Sequence, residues 1–399
     1  MHKNNIEFRI NEIFVNDLKN LPWNIQLEDW DTNEIKFLNF RKGISRHPVK
    51  FVKSEKSSFA IKQTTKMMAE IEIKNYNDVL KLGIHSLIPA GYVVTENPQI
   101  KVQTKIGSSF IKDETAFVIT VLEFKALPDS YLYKLNFKDE NRKLIWNAIA
   151  ELLAKLHFNN IYWGDASLAN ILVKFIKVKD EKGRVRTELK AVLADAETLK
   201  ILPKISKEIR KDELSFFFES MTWLNQDFKQ AGYIRENFST SSDKKYILKK
   251  YFQHYKLLKG IKLFEDITGL NVAKDFKGVT DLGALKSIRK QIDEHKWYLS
   301  EQKNEGVSLK EASQKWLEEV YKPIIKEFEK LNIFEYFPFK TPANLYIDVM
   351  THKYYLSLNK GNDVGIEKAI LDFSKKYASN ILILNLIKKS IKIIKELFY

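Results

Sequence analysis

A chain of 399 residues that is 44% hydrophobic and 13% aromatic, with only 14 Gly and 9 Pro, is excluded from the disordered and low-complexity classes. Its 66 Lys and Arg against 51 Asp and Glu leave a net charge of +15, which favours an anionic partner, although lysines scattered over solvated faces give the same total. The absence of Cys excludes disulfides, thiolate metal sites and a Cys nucleophile, and fits a reducing compartment.

The length exceeds that of a usual single domain, so two packed halves with added helical material are expected. The first segment, MHKNNIEFRINEIFVNDLKN, has no apolar run longer than Ile13–Val15 and offers no signal-peptide core. No segment reaches the roughly 18 uncharged apolar residues of a membrane span, and the expected location is the cytoplasm. Residues 1–30 are read as an extension ahead of the first strand.

Between Ile35 and Gln63 the runs IKFLNF, VKFV and SFAIKQ, separated by RKGISRHP and SEKS, predict three antiparallel strands. From Lys66 to Leu82, Met67, Ile71, Ile73, Val79 and Leu82 recur at helical spacing, and Gly83 follows as a stop signal. GYVVTE and FVITVLEF predict two more strands joined by a charged, exposed hairpin. Five strands and one helix make the N-terminal half.

Asp139 to His157 then sets Ile145, Ile149, Leu152 and Leu156 on one stripe of an amphipathic helix. IYWGDASLAN follows, then the strand ILVKF, the polar stretch KVKDEKGRVRTELK with a turn at Lys182 and Gly183, and the short strand AVLAD. The acids of these segments therefore fall in loops at strand ends.

From Glu208 onward helical patterns predominate. HKWYLSEQKNEGVSLKEASQKW (295–316) matches HKYYLSLNKGNDVGIEKAILDF (352–373) without gaps at His295/His352, Lys296/Lys353, Tyr298/Tyr355, Leu299/Leu356, Ser300/Ser357, Val307/Val364 and Ala312/Ala369. Two copies of a helix-loop-helix are too few for a solenoid and predict an accessory helical layer. Both His are read as structural. The tail NILILNLIKKSIKIIKELFY (380–399) is an amphipathic basic helix in pattern, suited to docking on its own protein or to an anionic membrane surface or partner groove.

Phosphoryl transfer from Mg-ATP needs a cation on the phosphates, oxygen ligands for Mg2+ and a carboxylate beside the attacking hydroxyl. Lys62 closes the strand SFAIK, and the helix after it carries Glu72, with Glu70 as near neighbour, able to hold that Lys by an ion pair. Asp165 and Asn170 stand five apart between a helix and a strand, the spacing of a catalytic loop in which Asp accepts the hydroxyl proton and Asn binds metal. Asp195 closes another short strand as a second metal ligand. Together they predict Lys62, Asp165 and Glu72 as the catalytic set and Asn170 and Asp195 as the Mg2+ ligands.

The segment GDASLANIL resembles the catalytic loop of atypical kinases: lipopolysaccharide kinases, RIO-type kinases and aminoglycoside phosphotransferase relatives. LPWNIQLEDWD, RKGISRHPVKFV, YWGDASLANIL, LADAETLKILPKIS and HKWYLSE resemble a bacterial kinase-like family of unknown function over roughly residues 20–375. The resemblance implies an α+β, bilobal protein-kinase-like fold with a C-terminal helical extension. Its expected divisions are an N-lobe (31–125), a C-lobe (126–265), an accessory helical region (266–378) and the basic tail (379–399).

The chain departs from the typical protein kinase at several points. Trp163-Gly164 replaces His-Arg before the catalytic Asp, and Ser167 replaces the Lys two residues after it, as it does in RIO kinases. Asp195-Ala196-Glu197 stands in place of Asp-Phe-Gly, and Glu197 is a candidate for a second carboxylate on the metal. RKGISRHP holds Gly43 alone, with Ser45, Arg46 and His47 as candidate phosphate donors, and Glu123 and Phe124 form the expected adenine hinge.

The functional expectation is an atypical ATP-dependent kinase acting on a hydroxyl of a protein, sugar or lipid-linked sugar. The alternative is a catalytically weak or inactive nucleotide-binding protein that recruits a partner. No aromatic-basic or finger motif supports nucleic acid, for which only net charge speaks.

Overall fold

Alternating side chains decide the first sheet. In SFAIKQTT, Phe59 and Ile61 are buried on one face, while Lys62 stands on the other, opposite Val118 of the neighbouring strand. The computed structural model describes residues 6–31, 35–38, 47–104, 107–122, 126–128, 139–179, 185–276, 278–337 and 340–378. The chain divides into two compact units, Met1–Tyr255 and Lys256–Tyr399. Helices and largely antiparallel strands make it an α+β protein.

The first unit opens with strand β1 (Ile6–Ile10) and helix α1 (Glu12–Leu18), then β2 (Val49–Lys53), β3 (Ser58–Thr65), helix α2 (Lys66–Lys81), β4 (Ile88–Thr104) and β5 (Gly107–Val121). The five strands form one antiparallel sheet in the order β1-β4-β5-β3-β2. Thr65 caps α2 by accepting from the Met68 N–H, and Gly83 follows the helix at φ +70, the left-handed stop that a side chain would strain.

The sheet differs from the expected one at its ends. IKFLNF forms no strand in its described part, where Phe37 makes an isolated bridge to Val52. The fifth strand is β1, paired along β4 from Ile6 opposite Thr95 to Ile10 opposite Gly91. Residues 6–30 are therefore part of the sheet and its core, not an extension ahead of it. Leu18, Trp23, Leu27 and Trp30 cover the face that carries Phe59, Ile61, Phe117 and Ile119, with the Trp23 and Trp30 rings 5.2 Å apart. Polar anchors fix this cover: the Trp23 indole N–H donates to the Leu18 carbonyl and the Leu27 N–H to the Gln63 side chain. An apolar sheet face must be covered, and a short strand with two tryptophans covers it without a regular hydrophobic period.

Further along, β6 (Ala126–Pro128), helix α3 (Asp139–Phe158), β7 (Ile161–Tyr162), β8 (Ile171–Lys179), β9 (Val185–Leu193), β10 (Lys200–Ile201) and helix α4 (Lys207–Gln230) follow. The β8/β9 pair is a ladder from Ile171 opposite Leu193 to Lys179 opposite Val185, so the polar stretch is strand rather than loop on both sides of the expected turn. Helix α5 (Ser241–Thr268) begins in the first unit.

The second unit is helical: α6 (Val272–Asp275), α7 (Leu282–Lys303), α8 (Leu309–Trp316), a π-turn (Leu317–Tyr321), α9 (Lys322–Lys330), α10 (Pro342–Lys360) and α11 (Ile366–Tyr377). Its core gathers Phe276, Trp316, Tyr321, Phe328 and Tyr346. The two similar segments each fold as helix, turn and helix. Asn304 and Gly361, equivalent positions, both end their first helix in the left-handed region, at φ 51 and 69. Ser300 and Ser357 each accept the N–H of the Val seven residues on, and His295 and His352 each face a carboxylate, Glu319 at 3.7 Å and Asp372 at 2.7 Å. No helix among the described residues is long and apolar enough to cross a membrane. The tail 379–399 lies outside them.

Candidate active site

Two backbone pairings bring the distant residues together. Because Ile171 pairs with Leu193, Asn170 just before β8 and Asp195 just after β9 emerge at the same end of one ladder, and the Ala194 N–H donates to the Asn170 carbonyl. The segment after α2 is bound to the same end, since Leu193 donates to the His85 carbonyl and accepts from the Leu87 N–H. Asp195 is thereby carried up to the face of the first sheet where Lys62 stands.

Lys62 Nζ lies 2.8 Å from Glu197 Oε2, 3.0 Å from Glu72 Oε2 and 3.5 Å from Asp195 Oδ1. Glu72, rather than Glu70, is the helix partner; Glu70 instead accepts from the Tyr92 hydroxyl at 3.3 Å. Burial works against the Lys62 charge, but Glu72, Asp195 and Glu197 outweigh it and hold the ammonium above its ordinary range. Burial pushes the Glu72 carboxyl up to about 7 despite Lys62, and raises Asp195 as well.

Helix α2 is fastened to the loop after Asp195 by its own polar face. Asn75 donates both amide hydrogens, to the carbonyls of Ala196 at 2.8 Å and Leu199 at 3.0 Å. The Tyr76 hydroxyl lies 2.8 Å from the Ala194 carbonyl and 3.0 Å from Glu72 Oε1.

The loop that carries Asp165 is built on a buried acid. Glu213, on α4, accepts the N–H groups of Trp163 at 2.7 Å and Gly164 at 2.8 Å through Oε1, while Oε2 meets His157 Nε2 at 2.6 Å. His157 Nδ1 in turn meets the Tyr251 hydroxyl at 2.7 Å. Gly164 adopts φ +83, and a Cβ there would meet Thr198 at 3.1 Å, so only Gly suits the turn into Asp165. The Asp165 carbonyl accepts from the Ser167 N–H and from Asn170 Nδ2, which closes the loop. Among the described residues none donates a hydrogen bond to the Asp165 carboxylate, and it is half-buried and open to a substrate.

The donor set fits Mg2+, a hard cation that takes oxygen ligands. With Nδ2 of Asn170 committed to the Asp165 carbonyl, its amide oxygen remains for a metal. Glu72, Asp195 and Glu197 also present carboxylate oxygens within 4.8 Å of one another. In this state, however, Glu197 is hydrogen-bonded to Lys62, where the sequence made it a candidate metal ligand. Gly43, Ser45 and Arg46 of the expected phosphate loop and Glu123 and Phe124 of the expected hinge lie outside the described residues. His47 is described, with Nε2 3.7 Å from Glu197 Oε2.

The sequence did not single out Glu213, Asn75 or Tyr76. A signal for Glu213 existed: it shares the buried face of α4 with Leu214, Phe217 and Met221, and an acid on an apolar face has a bound partner.

An antiparallel five-stranded sheet with a strand Lys ion-paired to the following helix, with the Asp165–Asn170 loop and Asp195 brought together at one end of a ladder, defines a protein-kinase-like α+β fold. Within the helical unit, residues 311–378 match the family model described as Domain of unknown function (DUF4032), a stretch that contains none of the site residues. No curated protein matches the sequence. Among solved structures the chain is similar to WaaP in complex with acyl carrier protein, at 11% identity, 66% of this chain, 93% of that chain and a TM-score of 0.38. It is also similar to Rio2 kinase from Chaetomium thermophilum, as the ADP/Mg2+-phosphoaspartate complex (12% identity, TM-score 0.29) and in a second structure (13%, TM-score 0.30). These matches cover 57% and 53% of this chain and 65% and 63% of the Rio2 chains, just under two thirds.

Proposed function

We propose that the chain is an atypical ATP-dependent phosphotransferase that moves the γ-phosphoryl group of Mg-ATP to a hydroxyl. The observation that carries this reading is the meeting of Lys62 with Glu72 and Asp195, at 3.0 and 3.5 Å, above the loop that holds Asp165 and Asn170. Lys62, oriented by Glu72, binds the phosphates; Asn170 and Asp195 hold Mg2+, which neutralises the developing phosphate charge when bound. Asp165 accepts the proton of the attacking hydroxyl as the new O–P bond forms and the bond to the ADP leaving oxygen breaks. Ser167 supplies no charge to the transferring group, so stabilisation rests on Lys62 and the metal side.

The substrate class follows from the chemistry only as far as a hydroxyl. Incubation of the protein with Mg2+ and γ-labelled ATP, with and without cell extract, tests the reading. Labelled product or autophosphorylation is expected from wild type and is lost in Asp165→Asn and in Asp195→Asn, each folded; equal activity in both variants overturns it. The second reading, a nucleotide-binding protein without turnover, is favoured by Ser167 and by the Lys62–Glu197 hydrogen bond. It is upheld if wild type binds Mg-ATP and transfers nothing.

A further inference from the structure

We propose that Glu197 is a clasp on Lys62, occupying the donor that Lys62 would give to a phosphate oxygen, so that nucleotide must displace it. Glu197 has this role only if the phosphotransferase reading above holds, because the clasp acts on the cation of that site.

A Lys ammonium has three donors and no acceptor. Here three carboxylates surround it, and the shortest contact, 2.8 Å, goes to Glu197 rather than to the helix partner Glu72 or the metal-side Asp195. The other two are fixed. Glu72 is buried, 2% exposed, against Tyr76, and Asp195 Oδ1 accepts the Glu197 N–H at 3.2 Å. With Glu72 buried and Asp195 assigned to the metal side, Glu197 is the carboxylate that a phosphate approaching Lys62 would replace.

The backbone around Glu197 is held by neighbouring groups, whereas its side chain is held through one oxygen, Oε2, which meets Lys62 at 2.8 Å and His47 at 3.7 Å. The Ala196 carbonyl accepts from Asn75, and the Thr198 hydroxyl donates to the Trp163 carbonyl at 2.6 Å. Release is thus a change of side-chain rotamer, with α2 and the loop left in place. The group that leaves carries a negative charge, and its departure also removes repulsion toward a polyanionic ligand.

The test is ATP binding in EDTA, read by the displacement of a fluorescent ATP analogue. Glu197→Gln, which keeps the size of the side chain, is expected to bind about tenfold more tightly than wild type, the worth of about one charge-assisted hydrogen bond. Glu197→Ser gives the same direction. In a Lys62→Met background the same substitution is expected to change affinity by about twofold or less, as the coupling between two contacting residues requires. Unchanged or weaker binding by Glu197→Gln and Glu197→Ser overturns the clasp. So does an undiminished gain in the Lys62→Met background, which charge repulsion alone would produce. A wild type that binds no ATP even with Mg2+ overturns the nucleotide reading itself, a result separable from a wild type that binds ATP and is indifferent to Glu197.

Discussion

The Trp163 indole donates its N–H to the Asp195 carbonyl at 2.6 Å, so the loop that carries Asp165 and the loop that carries the metal-side carboxylate are joined through one buried ring. The ring fills space and the nitrogen sets the register of the two loops. Trp163 is a positioning residue, two places before Asp165. Trp163→Phe keeps most of the packing and removes the bond, so stability is expected to fall by about 1 kcal/mol. Turnover is expected to fall about tenfold with KM within about twofold, since misplaced reacting groups lose kcat. Steady-state kinetics and chemical denaturation separate the two effects; a rise in KM with unchanged kcat is the opposing result.

Glu213 spends both carboxylate oxygens beneath the catalytic loop. Glu213→Ala leaves the Trp163 and Gly164 N–H groups and His157 without their partner, and is expected to cost about 3 kcal/mol or more. Glu213→Gln retains an acceptor for the two N–H groups, and its cost is expected to be about half as large. Denaturation midpoints of the two variants check the order; equal costs would show that the negative charge matters more than the acceptor.

Gly164 turns the chain into Asp165 at φ +83 with Thr198 close by. Gly164→Ala combines a left-handed backbone with a contact at 3.1 Å, for an expected loss of about 1–3 kcal/mol. Gly83→Ala, at φ +70 with nothing within 4 Å of the added Cβ, carries the backbone strain alone and is expected to cost less. Turnover is expected to fall in the first variant only.

Glu72 gives stability a pH dependence of definite sign. Its folded-state value, about 7, lies above the ordinary 4.5, because burial outweighs Lys62. The folded state therefore holds the proton more tightly than the unfolded chain, and this contribution favours folding below about pH 4.5 and is lost as pH rises through about 7. Asp195, also raised, acts in the same direction. In EDTA the thermal midpoint of wild type is expected to fall between pH 5 and pH 8 relative to Glu72→Gln, a difference of a few kcal/mol at most. The same ionisation is needed for the Lys62 pair, so wild-type turnover is expected to rise over that interval. Parallel curves for the two proteins would remove Glu72 as the cause.

Part of the site was legible because its residues lie on or beside short, strongly patterned elements. Strand alternation in SFAIK placed Lys62 on a strand, although β3 runs on to Thr65 and Lys62 is inside it, and a helical period precedes Asp165 by a few residues. Glu72 and Glu70 were not separable this way, being two residues apart on one helix; only packing, which buries the first and leaves the second beside Tyr92, decides. IKFLNF illustrates the converse: its alternation is strand-like, yet its described part makes only an isolated bridge from Phe37 to Val52 beside β2, while Ile6–Ile10 supplies the fifth strand at the opposite edge, because pairing partners are chosen across the fold.

By itself the sequence determined the chemical inventory: a strand Lys, helix acids, a loop Asp and Asn, an Asp just after a second strand, and two copies of a helix-loop-helix. Each depends on residue type and local period, which the chain carries in any context. Tertiary structure alone decided which groups meet. The pairing of Ile171 with Leu193 sets Asp195 beside Asn170, Glu213 reaches its loop from α4, and Glu197 takes the third donor of Lys62. Such contacts join residues far apart along the chain, and their energies come from burial and hydrogen-bond satisfaction in the packed protein, which no local period encodes.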